Sequence, residues 1–302
     1  MDRKCRELES PLFPYTEIQH EDINKVFILM CRDLFGKYGF PMTELCYFLT
    51  CLKANYHHVE YHNYSHALSH AQSMYWILKK TPGVFTELEM KALMIASIAH
   101  DVGHPGLNET YLKKVRCTLA IMHNDPILEE YHVQTLFLIL QDIRCNIFFD
   151  LESDDYKQVL DDIKMAILAT NLQKYKGQCE KMRHIVETGV DFRKKHVRNS
   201  LKALMMMACD LCSSWKRWDE HKNIIWSIYK EYFNQGDKEA SFGITTPEHM
   251  LRTNAESIPK YQTSFLENVV MPILQLLTRI FPQLKEVLKT THDNLECWKT
   301  YH

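Results

Sequence analysis

Glycine and proline are scarce, at 9 and 10 of 302 residues, and neither clusters. Few turn signals leave long uninterrupted segments, so the chain is expected to be mostly helical. A charge bias is also missing: 36 Lys and Arg stand against 38 Asp and Glu, a net charge of −2. That balance gives no basic footprint for nucleic acid and no polybasic signal for a membrane surface. Small-molecule chemistry gains by default. No apolar run reaches the roughly 18–20 residues that span a bilayer, so membrane insertion is not expected. The opening MDRKCRELES is charged and cannot be the apolar core of a secretory signal. The 10 cysteines are scattered at irregular spacing, which suits reduced thiols in a cytoplasmic protein better than a disulfide framework. Cys209 and Cys212 have the spacing of a redox motif, but no second pair follows at zinc-site distance. Two buried thiols are the better reading of that pair.

What is present is helical periodicity. Apolar residues recur at helical spacing over 22–39, 63–80, 86–101 and 125–142. The same pattern returns over 155–170, 196–213, 221–234 and 258–280, and from Pro282 to the end. At least nine helices follow, in an all-α fold. The single loop-like region of any length runs from Gly236 to Ser257, between two helices, where it is expected to border a pocket.

Against this apolar background four segments carry costly polar residues. IASIAHDVGHPG places His100, Asp101 and His104 directly after a run that reads as buried. YHNYSH sets His62 and His66 four apart, on one face of a helix mouth. HNDPILEEYH supplies Glu129 and His132, and MMMACDLC puts Asp210 inside an apolar run. Each alone has a plain explanation as a hydrogen-bonded core histidine, a cap or a solvated acid. Together they form the ligand set of a divalent metal at an open catalytic site. Asp210 is the most telling, because a carboxylate in that setting needs a cation against it or must give up its charge. Histidine followed at once by aspartate, with more of both far away, is the pattern of helical metal-dependent phosphohydrolases.

At this level of detail the chain resembles the class I 3′,5′-cyclic-nucleotide phosphodiesterases. The similarity runs from about Tyr61 to Trp298 and rests on YHNYSHA, AHDVGHPGLNETYL, LAIMHND, ILEEYH, ILAT, ACDL, EYFNQGD and IPKYQTSF, in that order. The second half is most similar to the branch that carries regulatory GAF domains. The resemblance implies one catalytic domain over 1–302, and leaves room for a homodimer formed through regulatory regions absent from this sequence. It also implies two divalent metals: zinc held by His66, His100, Asp101 and Asp210, and magnesium or manganese on the far side of Asp101. His104, Glu129 and Thr170 match positions that orient the metal-bound waters, and His62 matches the general acid. In the substrate slot the resemblance places Gln262 on the purine edge, with Phe265 and Ile228 on its two faces and Leu211 and Ser213 beside them. A glutamine amide offers both donor and acceptor, and a ring face stacks on any purine.

The implied activity is hydrolysis of cAMP, cGMP or both to the 5′-monophosphate, and Ser213 leans toward dual specificity. Several positions depart from the family pattern. Gly103 stands where an aspartate is usual, Glu130 and Tyr131 replace an asparagine and a histidine, Asn171 replaces an aspartate, and Leu251 sits in the usual Met-Asp-Arg. Two alternatives remain open here: another phosphohydrolase acting on nucleotides, and a non-catalytic nucleotide-binding or scaffold domain on the same fold.

Overall fold

The computed structural model describes residues 7–301. Among these there are fourteen α-helices, several short 3₁₀ turns and no strands. In chain order the helices are α1 (Ile23–Phe35), α2 (Met42–Asn55), α3 (Tyr64–Lys80), α4 (Glu87–Ala99), α5 (Glu109–Lys114), α6 (Thr118–Met122) and α7 (Ile127–Gln141). They continue as α8 (Ser153–Leu168), α9 (Tyr175–Thr188), α10 (Lys195–Asp210), α11 (Trp218–Ser241), α12 (Ile258–Phe265), α13 (Met271–Ile280) and α14 (Lys285–Thr300). No helix among the described residues is long and apolar enough to cross a membrane.

The hub is α3, buried nearly all round from Tyr64 to Leu78 and packed on α1, α4 and α10. Two of its buried polar residues, Gln72 and His70, find partners outside the helix. Gln72 donates to the carbonyls of Leu8 and Ser10, and His70 Nε2 meets the Met206 carbonyl at 3.1 Å. Lys216, itself buried, donates to the Pro11 and Phe13 carbonyls at 3.0 Å, so the N-terminal segment is tied to the core by cation-to-carbonyl bonds.

A buried ion cluster fixes the relation of α4, α8 and α10. Lys202 on α10 lies 2.7 Å from Asp162 on α8 and 3.3 Å from Glu89 on α4, and Arg198 adds a 3.0 Å contact to Glu89. Glu89 also closes a capping box with Thr86 at the start of α4. The opposite ends of α4 and α10 carry His100 and Asp210, so this cluster sets the register of the helices that deliver them.

Four helices lie outside the periodic ranges: α5 and α6, which are only six and five residues long, and the longer α2 and α9. In α2 the outward side carries Met42 and Tyr47 as well as polar residues, which blurs its apolar face. In α9 only Cys179 and Met182 are buried, too few to mark a stripe. The supposed loop from Gly236 begins as helix, because α11 runs on to Ser241. The glycine is there for close packing: a Cβ on Gly236 would lie 2.2 Å from the Met250 carbonyl oxygen. The rest of the segment does border a cavity, through His249. The range 258–280 is one continuous rod containing a π-turn at Leu266–Val270.

Lys202→Met is expected to destabilise the protein by ~3–5 kcal/mol, because it leaves Glu89 and Asp162 buried without their shared cation. Urea denaturation measures this, and a loss under about 1 kcal/mol would mean that the cluster does not hold the three helices together.

Candidate metal centre

The chain delivers the polar residues from helix ends. Asn63 caps α3, its side-chain oxygen accepting from the Ser65 and His66 amides at 3.0 and 3.2 Å. That cap lies between His62 and His66 and fixes both. His100 ends α4, and Gly103, with φ +79°, turns the chain so that the His104 amide donates to the Asp101 carbonyl at 3.0 Å. Asp210 is the last residue of α10.

His66, His100, Asp101 and Asp210 come together so that one ligand atom from each lies within 4.8 Å of all the others. The Nε2 atoms of His66 and His100 face each other at 3.2 Å. Asp210 Oδ1 is 3.2 Å from His66 Nε2 and 3.3 Å from His100 Nε2, and Asp101 Oδ2 is 3.4 and 3.2 Å from the same two atoms. Metal bonds of about 2.0–2.2 Å put neighbouring ligands on the order of 3.0–3.5 Å apart, so the spacing fits an ion. The donor chemistry fits as well. His100 Nδ1 donates to the Ser97 carbonyl at 3.0 Å, so Nε2 is the nitrogen that faces the cluster, able to ligate an ion that displaces its proton. Asp101 Oδ2 is buried and accepts no hydrogen bond. Burial would raise both carboxylates, yet His100 and His66 beside them hold Asp101 and Asp210 well below the usual range.

His104, Glu129 and Thr170 line a cavity of about 350 Å³ on the far side of Asp101. Burial pushes Glu129 up to about 7, and its Oε2 has no hydrogen-bond partner. His104 Nδ1 accepts from the Gly106 amide at 3.0 Å, and burial keeps this ring well below the ordinary imidazole value. Thr170 donates its hydroxyl to the Ile167 carbonyl at 2.9 Å, leaving its oxygen lone pairs free to accept.

Gln262, Phe265, Ile228, Leu211 and Ser213 line a second cavity of about 340 Å³. The Gln262 side chain bonds to the Tyr229 hydroxyl through its nitrogen, since Oε1 is buried without a partner. The two cavities share His62, Leu172, Asp210 and Tyr232, so they are two ends of one cleft with His62 on their common wall.

Glu231 on α11 was not singled out by the sequence, where it is one more acid in a charged helical stretch. Its Oε2 accepts from the Tyr61 and His62 amides at 3.0 and 3.3 Å, and its Oε1 pairs closely with His62 Nδ1. Burial lowers the His62 imidazole, but the Glu231 charge outweighs it and raises His62 to about 9. The His104 ring stacks on His62 at 4.0 Å. His132, recognised in the polar segment without a role, donates from Nδ1 to the Val102 carbonyl at 2.8 Å and presents Nε2 3.8 Å from Asp101 Oδ1. Tyr56 was also missed. Its hydroxyl donates to the Ile98 carbonyl and accepts from the Asp101 amide.

The departures at Gly103 and Tyr131 explain each other. A Cβ built on Gly103 would lie 2.7 Å from the Tyr131 hydroxyl and 2.9 Å from its ring. The tyrosine occupies the space that a side chain at 103 would need.

A helical frame that gathers imidazoles and carboxylates beside an aromatic slot is the architecture of a metal-dependent hydrolytic centre. Residues 61–291 match the profile of 3′5′-cyclic nucleotide phosphodiesterases. The chain is 32% identical over 298 residues to a probable 3′,5′-cyclic phosphodiesterase, pde-5, of Caenorhabditis elegans, covering 98% of this chain and 39% of that protein. It is 31% identical over 276 residues to a cGMP-specific 3′,5′-cyclic phosphodiesterase of Drosophila virilis, covering 90% of this chain and 31% of that one. The chain thus spans well under half the length of these relatives. Among solved structures, the phosphodiesterase domain of the RhoPDE fusion protein from the choanoflagellate Salpingoeca rosetta superposes with a TM-score of 0.92 at 27% identity, over 97% of this chain and 94% of that one. The chain belongs to the 3′,5′-cyclic nucleotide phosphodiesterase family.

Gly103→Ala is expected to cost ~2–4 kcal/mol, from the left-handed backbone and from the clash with Tyr131. In a Tyr131→Ala background only the backbone part, ~1–2 kcal/mol, should remain. Equal losses in both backgrounds, by chemical denaturation, would show that the two positions are not coupled.

Proposed function

We propose that this chain hydrolyses 3′,5′-cyclic purine nucleotides to 5′-monophosphates, acting on both cGMP and cAMP as a single cytoplasmic catalytic domain. The observation that carries the reading is the His62–Glu231 pair on the wall shared by the metal cavity and the base slot. The names of the relatives, several of them cGMP-specific, support the substrate class. We assign His66, His100, Asp101 and Asp210 to zinc, and the cavity beyond Asp101, with His104, Glu129 and Thr170, to magnesium or manganese. Divalent metals there supply a water of lowered pKa and screen the phosphate charge.

The side chains do the rest. Glu231 holds His62 protonated and aims it into the cleft, so that it can give its proton to the departing 3′ oxygen. Phe265 and Ile228 face the base from the slot walls. Gln262 Oε1, with no partner in the protein, can accept an N–H from the purine edge. Adenine offers N6–H and guanine N1–H at that edge, which is why one amide can serve both.

His62→Ala is expected to retain its metals and lower kcat by roughly 10²–10⁴-fold, the usual worth of a positioned acid. Glu231→Gln removes the charge that raises His62, so the alkaline limb of kcat/KM should move to lower pH. A loss confined to KM in His62→Ala, or an unmoved limb in Glu231→Gln, would place the acid elsewhere.

A further inference from the structure

Outside the cleft two thiols lie in contact. Cys51 on α2 and Cys145 in the turn after α7 are 94 residues apart in sequence, with their sulfurs 3.4 Å apart. Cys145 is buried and Cys51 is half-buried, so an oxidant in solution meets Cys51 first. We propose that Cys51 and Cys145 form a reversible disulfide under peroxide, and that this bond regulates the metal centre through the end of α2.

The chemistry closes with peroxide as the only co-reactant. The Cys51 sulfur attacks one peroxide oxygen and becomes a sulfenic acid, releasing water. The Cys145 sulfur then attacks the Cys51 sulfur and expels its hydroxyl group, which leaves as a second water with the Cys145 proton. Two thiols are oxidised and one peroxide is reduced. Burial and the neighbouring Cys51 push the Cys145 thiol up to about 12, so little thiolate is present. Placement of the two sulfurs in contact compensates, since no encounter step is needed.

The bond has a path to the active site. A disulfide requires sulfurs about 2.05 Å apart, so closure draws Cys51 inward by on the order of 1 Å. Helices in a close-packed interior move as units. The helix that carries Cys51 ends beside Tyr56, whose hydroxyl bridges the Ile98 carbonyl at 3.0 Å and the Asp101 amide at 3.3 Å. Displacing that hydroxyl releases the backbone under a metal-facing carboxylate. The crosslink also encloses His62, His66, His100, Asp101 and Glu129 in one covalent loop.

The test treats the metal-loaded protein with stoichiometric hydrogen peroxide, then maps its peptides without reduction and measures turnover. The expected result is a peptide joining Cys51 to Cys145, the loss of two hydrogen masses, and a several-fold fall in turnover that dithiothreitol reverses. Cys51→Ser should turn over like the parent and show neither change. Cys145→Ser should instead accumulate Cys51 sulfenic acid, trapped by dimedone. Unlinked peptides with Cys51 further oxidised, or links to other cysteines, would overturn the site. A clean link with unchanged turnover would overturn the regulation. The turnover arm rests on the proposed activity, whereas the peptide map does not, so failure of one is separable from failure of the other.

Discussion

Everything in this fold answers to the cost of burying carboxylates and imidazoles at one point. Groups of this kind leave water only when something compensates them. Two of the clusters in which the protein buries acids reach different solutions. Glu89 and Asp162 meet Lys202 and Arg198, so their charge is settled by cations the chain itself provides. Asp101 and Asp210 meet only imidazoles, and Asp101 Oδ2 and Glu129 Oε2 remain without hydrogen bonds. The first cluster is neutralised as folded, although Asp162 Oδ2 also lacks a hydrogen-bond partner. The second cluster has no lysine or arginine of its own, and its donor set is one a cation from solution would complete; that difference in charge distinguishes the two clusters.

The two clusters are also mechanically linked. Both lie along α4 and α10, at opposite ends, so the helix register that Lys202 enforces is the register that brings His100 to Asp210. Positioning in this enzyme family member is therefore done by rigid elements, with Asn63, Gly103 and Glu231 making the local corrections that aim individual side chains.

Much of this was legible in the residues. His100-Asp101, His62-x-x-x-His66 and the acid inside an apolar run stand out because each violates the burial pattern around it. Gln262 and Phe265 do not: without the family resemblance one reads as a solvated polar residue and the other as core. Glu231 was invisible for a related reason, since nothing in a charged amphipathic helix tells which acid turns inward. Helix α9 was unreadable because only two of its residues face the core, and the end of α11 because a glycine signals a turn even where it serves close packing. The pairing of Gly103 with Tyr131 is a tertiary contact, so from sequence each looked like a separate departure.

The account rests on metal-dependent cleavage of a cyclic phosphodiester in the cleft around Asp101 and Asp210. The most direct measurement is hydrolysis of cGMP and cAMP side by side on protein stripped with a chelator and then reloaded. Both nucleotides should be converted to 5′-monophosphates, conversion should stop on stripping, and zinc together with magnesium or manganese should restore it. Binding of either nucleotide without turnover under any metal condition, or turnover that survives complete metal removal, would contradict the account.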